Sequence, residues 1–274
     1  MKLQNKVVIV TGASRGLGAA IAEHCAGEGA VVICAARSAE PPDEIAQRIT
    51  AARGRAEPVV CDVARLDDLQ RLVDETLKRH GAIHGLVNNA GVNFVKPFLE
   101  VTAEEWQHVL SVDLTGAFFL TQLCARHMVK QGVGSIVQIA SVHTHGSLAG
   151  AAPYDAAKQG LVGFSKTAAV ELAPHGVRVN LVSPGLCRTD IWKNIVAAAP
   201  SEAECLDYWR ANIPAGRLIE PREIASCCTF LLSEESSAVT GANLFADLGM
   251  TSLLISREPY ASKPIVDGGT GKGS

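Results

Sequence analysis

The sequence predicts an α/β fold built on one doubly wound parallel sheet with helices on both faces. Short β-branched runs alternate with longer helical stretches through most of the chain, and this alternation is typical of parallel strands joined by helical crossovers. Of the 274 residues, 47% are hydrophobic but only 5% are aromatic, and 25 are Gly. Small residues in such numbers indicate close packing of strands and helices around one large core.

Seven short apolar runs are predicted strands, because most of them are bounded by the Gly, Asp, Asn or Pro residues that end strands. Nearly continuous apolar strands indicate a sheet that is buried on both faces. The predicted strands are Val7–Val10, Val31–Ala35, Pro58–Cys61, Leu86–Asn88, Ser135–Ala140, Val177–Val182 and Asn243–Ala246.

Three signals place helices between these strands. From residue 66 to residue 77, Leu and Val recur at intervals of three and four, which gives one amphipathic face. Thr102 and Glu105 form a capping box, which predicts a long helix running towards Met128. Pro221 lies near the first turn of a further predicted helix.

One domain is predicted over residues 1–255, since no repeat, linker or change of composition interrupts this range. Residues 256–274 contain Pro259 and Pro264 and end in a Gly/Ser-rich segment. This composition predicts a C-terminal tail that is partly disordered.

Charge and cysteine content exclude several classes of protein. The 25 Lys and Arg against 28 Asp and Glu give a net charge of -3, without the basic excess of a nucleic-acid-binding protein. Eight Cys include no C-x-x-C pair, and most lie in apolar runs, which predicts buried thiols in the reducing cytoplasm. Cys187 differs, because it follows Gly185 at the mouth of the predicted site.

Neither a signal peptide nor a membrane span is predicted. No long apolar stretch precedes Thr11. The uncharged residues 132–154 contain two His and four Gly, which a membrane span of that length disfavours.

A glycine-rich loop follows the first strand directly and opens a helix, which together predict a dinucleotide site. Gly12 permits a tight turn, Gly16 lets backbone N–H groups approach a pyrophosphate, and Gly18 lets the helix pack close to the strand. Ser14, Arg15 and Leu17 fill the positions between these glycines.

The end of the second predicted strand favours NADP(H) over NAD(H). An NAD site usually has an acidic residue there to hold the ribose 2′-OH, but this chain has Ala36-Arg37-Ser38. Arg37 and Arg15 are therefore predicted to pair with a 2′-phosphate; the alternative for each is a solvated surface charge. Asp62, with Val63 beside it, either binds the adenine or forms a turn.

Further candidate residues follow the next strands. Asn88-Asn89-Ala90-Gly91 ends the fourth strand, where Gly91 permits close backbone approach and Asn89 bonds either the chain or the cofactor. Ser141 ends the fifth strand. Tyr154 and Lys158 come next, one helical turn apart on one face.

The Tyr154 and Lys158 pair is suited to acid–base catalysis. An ammonium at ~4 Å favours a phenolate by roughly 4 kcal/mol at an effective dielectric of about 20, which makes a phenol usable for acid–base catalysis at neutral pH. The alternative is a solvent-facing Tyr and Lys on an ordinary helix.

Together these motifs resemble the short-chain dehydrogenase/reductase family. The resemblance rests on Thr11-Gly-Ala-Ser-Arg-Gly-Leu-Gly18, Asn88-Asn-Ala-Gly91, Ser141, Tyr154-x-x-x-Lys158 and Pro184-Gly185, in the family's order and spacing from about residue 5 to residue 251. It implies a Rossmann-like sheet of about seven strands in the order 3-2-1-4-5-6-7. It also implies a homotetramer or homodimer.

The resemblance implies a role for each matching residue. Tyr154 would be the acid–base group, Lys158 would assist it and hold the nicotinamide ribose, and Ser141 would bind the substrate oxygen. Pro184, Gly185 and Thr189 would lie against the nicotinamide. The implied reaction moves a hydride between the cofactor and a ketone or secondary alcohol.

The chain departs from the family pattern in two places. Asp113, a further candidate catalytic residue, replaces an Asn that is thought to act through its main chain by holding a water near the catalytic Lys. Asp113 is therefore expected to serve as well, unless its carboxylate reaches Lys158 and opposes catalysis at low pH. Asp247-Leu248-Gly249 replaces the usual Asp-Gly-Gly.

The substrate side is predicted less sharply. Residues 186–213 hold two of the three Trp and are expected to form a lid that excludes water; the alternative is an ordinary surface helix pair. Trp192, Asn93 and His143 are candidate substrate contacts, with His145 as an alternative to His143. No metal is expected, because the spacing of His143, His145 and Cys187 fits no template.

The sequence thus predicts an NADP(H)-dependent ketone reductase or alcohol dehydrogenase. The alternative is a catalytically idle dinucleotide-binding sensor or scaffold, which would have no need of Ser141, Tyr154 and Lys158 together.

Overall fold

The computed structural model describes residues 1–38 and 40–254, and its centre is a seven-stranded sheet with every pair of neighbours parallel. The strand order is β3-β2-β1-β4-β5-β6-β7, as predicted. The tail predicted over residues 256–274 lies outside the described residues. The strands are β1 (Val7–Thr11), β2 (Val31–Ala36), β3 (Arg55–Val60), β4 (Gly85–Asn88), β5 (Gly134–Ile139), β6 (Val177–Pro184) and β7 (Asn243–Ala246).

Helices connect the strands and cover both faces of the sheet. They are α1 (Gly16–Gly27), α2 (Glu40–Ala51), α3 (Leu66–His80), α4 (Ala103–Leu110), α5 (Gly116–Gln131), α6 (Ala152–Leu172), α7 (Asp190–Ala198), α8 (Glu202–Asn212) and α9 (Pro221–Leu232). Side chains of α1, α2 and α9 pack with alternate strand residues such as Val8 and Val10. Those of α3, α5 and α6 pack with the opposite set, such as Val7 and Ile9. The core is therefore two apolar layers separated by the sheet.

The third strand begins three residues earlier than the apolar pattern predicts. It runs Arg55–Val60 and pairs only with β2, so it is an edge strand whose polar Arg55 and Glu57 are not fully buried. Pro58 is tolerated there because an edge strand has one side that makes no ladder hydrogen bonds. An apolar-run criterion misses the polar first half of such a strand.

The long helix predicted from Thr102 towards Met128 is interrupted by a π-helical turn. Thr102 and Glu105 form the expected capping box at the start of α4. The segment Ser111–Thr115 is π-helical and joins α4 to α5 without a break. Such turns insert one extra residue and occur often at functional sites. Asp113 lies inside this turn and is buried.

The continuous helix Ala103–Gln131 passes a length and composition test for a membrane span, the one described helix that does so. Half of its most apolar window is buried inside the fold. The core helix of a globular α/β domain has the same composition, so this observation gives only weak support for a membrane segment.

Close packing at the start of α5 gives a test of the fold. A Cβ atom at Gly116 would lie 2.3 Å from the backbone oxygen of Val63, whereas one at Gly163, on the exposed side of α6, would meet nothing within 4 Å. We expect Gly116→Ala to lower the free energy of unfolding by about 1–3 kcal/mol through overpacking. We expect Gly163→Ala to be neutral or stabilising by up to about 1 kcal/mol, because Ala favours a helix over Gly.

Thermal or denaturant unfolding of both variants beside the parent protein measures these differences. Equal stability of the two variants would contradict the packing described for Gly116.

Candidate functional site

The carboxyl ends of the parallel strands gather nearly all of the predicted functional residues. The glycine-rich loop follows β1, and Arg37 follows β2. Asn89 follows β4, and Ser141 follows β5. The strand order reverses direction between β1 and β4, and α/β sheets of this kind bind ligands in the crevice at that point.

The glycine-rich loop gives α1 an N-terminus without a protein cap. Gly12 and Gly16 adopt positive φ angles of 63° and 56°, which glycine tolerates best. A Cβ atom at Gly18 would lie 2.1 Å from the Gly12 oxygen, so only glycine fits there. Arg15 precedes the helix without a side-chain cap, and the first turn holds no acidic residue. The free N–H groups and the helix dipole therefore suit a phosphate.

Asn89 and Thr11 hold this loop against the end of β4. The Asn89 amide donates hydrogen bonds to the backbone oxygens of Thr11 (2.9 Å) and Gly12 (3.3 Å). The Thr11 hydroxyl accepts the N–H groups of Asn89 (3.0 Å) and Ala90 (3.1 Å). Of the two roles open to Asn89, the structure shows the bond to the chain. Ser14 and Leu17 lie in the same loop.

Arg37 and Arg15, the two arginines predicted to pair with a 2′-phosphate, are both exposed. Arg37 is exposed directly after β2. The Arg15 side chain is 78% exposed, and its guanidinium is 4.0 Å from the carboxylate of Asp190. Asp62 accepts the N–H of Ala64 at 3.1 Å, so it forms a turn. Val63, beside it, is buried.

Ser141, Tyr154 and Lys158 meet at the end of β5. Lys158 is 4% exposed, its Nζ atom lies 5.3 Å from the centre of the Tyr154 ring, and it donates to the Ile139 oxygen at 3.2 Å. Ser141 is buried, and its hydroxyl accepts the N–H of His143 at 3.2 Å. Lys158 is therefore a core residue beside Tyr154, and the alternative of a solvent-facing pair does not hold for it.

The Asp113 carboxylate reaches Lys158. Its Oδ2 atom lies 3.3 Å from Nζ of Lys158, and both side chains are almost fully buried. Its Oδ1 atom accepts the N–H of Val92 at 2.8 Å, whereas Oδ2 accepts no well-directed hydrogen bond. A Cβ atom at Gly91 would lie 2.9 Å from Oδ2. Of the two possibilities left open for Asp113, the structure shows the one in which the carboxylate, carried by the π turn, reaches the ammonium of Lys158.

Burial and charge attraction have opposite effects on the pKa values of Asp113 and Lys158. Burial raises the pKa of the Asp113 carboxyl, while the Lys158 ammonium and the Val92 N–H oppose that rise. Burial acts to lower the pKa of Lys158, but Asp113 and Tyr154 together hold it above the ordinary value. Lys158 therefore stays charged, beside a carboxyl group whose pKa is raised by its burial.

The end of β6 and the helices after it close the other side of the site. Pro184 ends β6, Gly185 follows, and a Cβ atom at Gly16 would meet the Thr189 side chain at 3.7 Å. Thr189 therefore lies across the glycine-rich loop. Helices α7 and α8 share an apolar cluster, here called the lid cluster, made of Trp192, Cys205, Ile213 and Leu218.

The predicted substrate contacts differ in exposure. Trp192 is only 4% exposed, with its ring inside the lid cluster, while Asn93 is exposed on the loop after β4. Nδ1 of His143 lies 2.5 Å from a carboxylate oxygen of Asp155, and its ring packs edge-on against Tyr154 with centroids 5.1 Å apart. His145 is exposed and packs against Phe245.

Cys187, predicted at the mouth of the site, has its side chain buried. It is 7% exposed and packs in the core with Ile219 and Ile224 of the α9 side. Burial raises the pKa of its thiol to about 12. In the part of the chain that the structure describes, no three His, Cys, Asp or Glu side chains form a group that could hold a metal.

Comparison with known proteins places this site in a family. The family model described as enoyl-(acyl carrier protein) reductase matches residues 12–251. A 3-oxoacyl-acyl-carrier-protein reductase of Aquifex aeolicus is 39% identical over 251 residues, which cover 91% of this chain and 99% of that protein. The chain belongs to the short-chain dehydrogenase/reductase family. It is thus an oxidoreductase of the kind that acts on CH–OH and C=O groups.

Solved structures of similar proteins confirm the Rossmann-like fold of this short-chain dehydrogenase/reductase. A putative gluconate dehydrogenase from Agrobacterium tumefaciens superposes with a TM-score of 0.88 at 32% identity, covering 92% of this chain and 98% of that one. A putative NAD(P)-dependent gluconate 5-dehydrogenase from Beutenbergia cavernae, solved with NADP bound at low occupancy, gives 0.86 at 34% identity and covers 92% and 99%.

Sequence reasoning missed two residues of the site. Thr11 was placed only at the edge of the glycine-rich motif, although its hydroxyl joins the ends of β1 and β4. Asp155 follows Tyr154 directly, and only its contact with His143 distinguishes it from an acidic residue in a first helical turn. For Asp155, the one available signal was its place beside Tyr154.

The Asp113 carboxylate is expected to shift the pH dependence of this dehydrogenase/reductase. With Tyr154 as the acid–base group predicted from the sequence, alcohol oxidation would use its phenolate, so the rate would rise with pH. Asp113→Asn keeps an acceptor for the Val92 N–H but removes the negative charge beside Lys158. The ammonium then favours the phenolate more strongly, and we expect the rise to move towards lower pH.

Measurement of kcat/KM for alcohol oxidation against pH tests this shift. At each protein's own optimum, we expect the rates of parent and variant to agree within about an order of magnitude. Coincident pH profiles would contradict the charge effect, and a collapse of the rate at every pH would show that the carboxylate itself is required.

Proposed function

We propose that this protein is an NADP(H)-dependent dehydrogenase/reductase that transfers a hydride between the cofactor and a ketone or secondary alcohol. The observation that carries this proposal is the buried ammonium of Lys158 beside the Tyr154 ring, at the strand end that also carries Ser141. Burial of an ion costs several kcal/mol of hydration, so a lysine with no role beside the tyrosine would remain in water.

The residues at the crevice fit a dinucleotide phosphate. The uncapped N-terminus of α1 suits the pyrophosphate. Arg37 is exposed where an NAD site would have an acidic residue, and Arg15 lies at the same end of the sheet. The Beutenbergia cavernae relative was solved with NADP, which supports the same choice here. The nicotinamide end would lie near Pro184, Gly185 and Thr189.

Tyr154, Ser141 and Lys158 then have separate roles in proton transfer to and from one substrate oxygen. A bound nicotinamide supplies or accepts the hydride. Tyr154 donates a proton to the carbonyl oxygen in reduction and takes it back in oxidation. The Ser141 hydroxyl accepts the N–H of His143, so its own proton is available for the same oxygen. Lys158 favours the phenolate form of Tyr154 by its charge.

We make three further proposals, which concern a lid over the site, the assembly of the protein and its cellular compartment. Helices α7 and α8 act as a lid that keeps water from the hydride step. Exposed Phe118 on α5 and Val170 on α6 offer an apolar surface for a homodimer or homotetramer. Eight free cysteines, seven of them buried, suit a reducing cytoplasm.

Substitution of Tyr154 tests the activity against the alternative of an idle dinucleotide-binding sensor or scaffold. We expect Tyr154→Phe to bind NADPH as the parent does, because the ring remains, and to lose about 10²–10⁴-fold in kcat, because the proton donor is gone. NADPH fluorescence measures binding, and NADPH oxidation with a panel of ketones measures turnover. Binding without turnover by the parent protein on every ketone would favour the sensor or scaffold.

Substitution of Arg37 tests the choice of cofactor. We expect Arg37→Ala to weaken NADPH about 10–100-fold, since it removes a charge-assisted contact to phosphate, and to leave NADH nearly unchanged. Fluorescence titration with both cofactors measures the two dissociation constants. Arg126→Ala, on the exposed face of α5, is the matched control and should change neither. Equal losses of NADPH and NADH in Arg37→Ala would refute the phosphate contact.

A further inference from the structure

A hydrogen-bonded pair of an imidazole and a carboxylate lies beside Tyr154, separate from Lys158. Nδ1 of His143 is 2.5 Å from Oδ1 of Asp155. The other carboxylate oxygen of Asp155 accepts a short hydrogen bond from the Ser147 hydroxyl. The side chains of His143 and Asp155 are 15% and 18% exposed, so the pair is sheltered but open to a ligand.

The position of His143 ties it to the reacting centre. Its backbone N–H donates to the Ser141 hydroxyl at 3.2 Å, and its ring packs edge-on against Tyr154. His143 therefore contacts Ser141 through its backbone and Tyr154 through its ring. A substrate group that reaches the imidazole while the reacting oxygen contacts Ser141 and Tyr154 would be close to the reacting carbon.

The contact with Asp155 decides which ring nitrogen is left for a ligand. Asp155 occupies Nδ1, and Nε2 has no hydrogen-bond partner among the described residues. The Asp155 carboxylate fixes the orientation of the His143 ring and favours a proton on Nδ1. In histidines generally, the hydrogen bond at one ring nitrogen determines what the other nitrogen can bind. Nε2 is thus a fixed polar atom that can accept from or donate to a hydroxyl.

Charge pairing around Tyr154 argues against an anionic substrate. The His143 imidazole lies against the Asp155 carboxylate, and the Lys158 ammonium has the Asp113 carboxylate at 3.3 Å. Each of these two basic groups therefore has an acidic partner of its own, and neither offers uncompensated positive charge to a substrate carboxylate.

We propose that His143, held by Asp155, is a specificity-determining residue for an uncharged substrate with a hydroxyl group on the carbon next to the reacting carbon. In reduction this substrate is an α-hydroxy ketone, which takes one hydride from NADPH and one proton to give a vicinal diol and NADP⁺. The inference rests on the proposed function, because it names the substrate class of that same reaction.

Three ketones of equal carbon number test the proposal. Acetone has a methyl group, hydroxyacetone a hydroxyl-bearing carbon and pyruvate a carboxylate in the same place. We compare kcat/KM for NADPH oxidation with each, in the parent protein and in His143→Ala. The ratio between parent and variant removes the intrinsic difference in reactivity between the ketones.

In the parent protein we expect hydroxyacetone to be preferred over both acetone and pyruvate. In His143→Ala we expect the hydroxyacetone-to-acetone ratio to fall about tenfold, as for loss of one hydrogen bond in a site built to make it. The rate with acetone should fall much less than the rate with hydroxyacetone, because acetone has no hydroxyl group for the imidazole to bind and residue 143 keeps the backbone N–H that contacts Ser141. A merely structural role for His143 would lower both rates together.

Two more variants complete the test. Asp155→Asn keeps the size of the side chain but removes the charge that holds Nδ1, so the ratio should fall in the same direction; this variant also serves if His143→Ala does not fold. His145→Ala is the control, since His145 is exposed and packs on Phe245, and it should leave the ratio unchanged.

The failures are distinguishable. Turnover of ketones with an unchanged ratio in both His143→Ala and Asp155→Asn would overturn this inference alone. A preference for pyruvate that His143→Ala abolishes would overturn the neutral substrate class and assign His143 to an anion. No turnover of any ketone, with NADPH bound, would overturn the proposed function and the inference with it.

Discussion

The buried ammonium of Lys158 is the group on which the rest of this site depends. An ion this deeply buried loses several kcal/mol of hydration, and it is retained only if neighbours replace the lost water. The Ile139 oxygen at the end of β5, the Asp113 carboxylate and the Tyr154 ring do so here. A strand end, a π turn and a helix must therefore keep their relative positions for the charge to remain.

The Asp113 carboxylate gives this arrangement an unusual balance. It helps to hold the ammonium in the core, but it also offsets part of the positive field that would favour a phenolate at Tyr154. A neutral amide at the same position would leave the field intact and stabilise the ion less. Asp113, in the π turn, therefore has two effects. It holds Lys158 firmly in the core, and it weakens the electrostatic effect of Lys158 on Tyr154.

Much of the fold and of the cofactor half of the site could be predicted because the signals are local. The apolar runs and the glycine-rich loop each lie within about ten residues, and strand–turn–helix geometry follows from them. β3 was predicted too short because its first residues, including Arg55 and Glu57, are polar on an edge strand. Leu248 has a positive φ of 56° at a position where the family resemblance implies Gly, and its side chain packs against both the core and the lid cluster.

The substrate half could not be predicted because its contacts join distant residues through side-chain geometry. Asp113 meets Lys158 across 45 residues only because a π turn rotates it inward, and no sequence pattern marked that turn. His143 and Asp155 are twelve residues apart on different elements, and their pairing follows from the path of the loop between β5 and α6. In the proposed function, the cofactor would be recognised largely by backbone conformation, which glycine positions encode. Substrate recognition would depend on polar side chains whose partners determine what they can still bind, so for the proposed substrate the identity of His143 matters less than the fact that Asp155 already occupies one of its nitrogens.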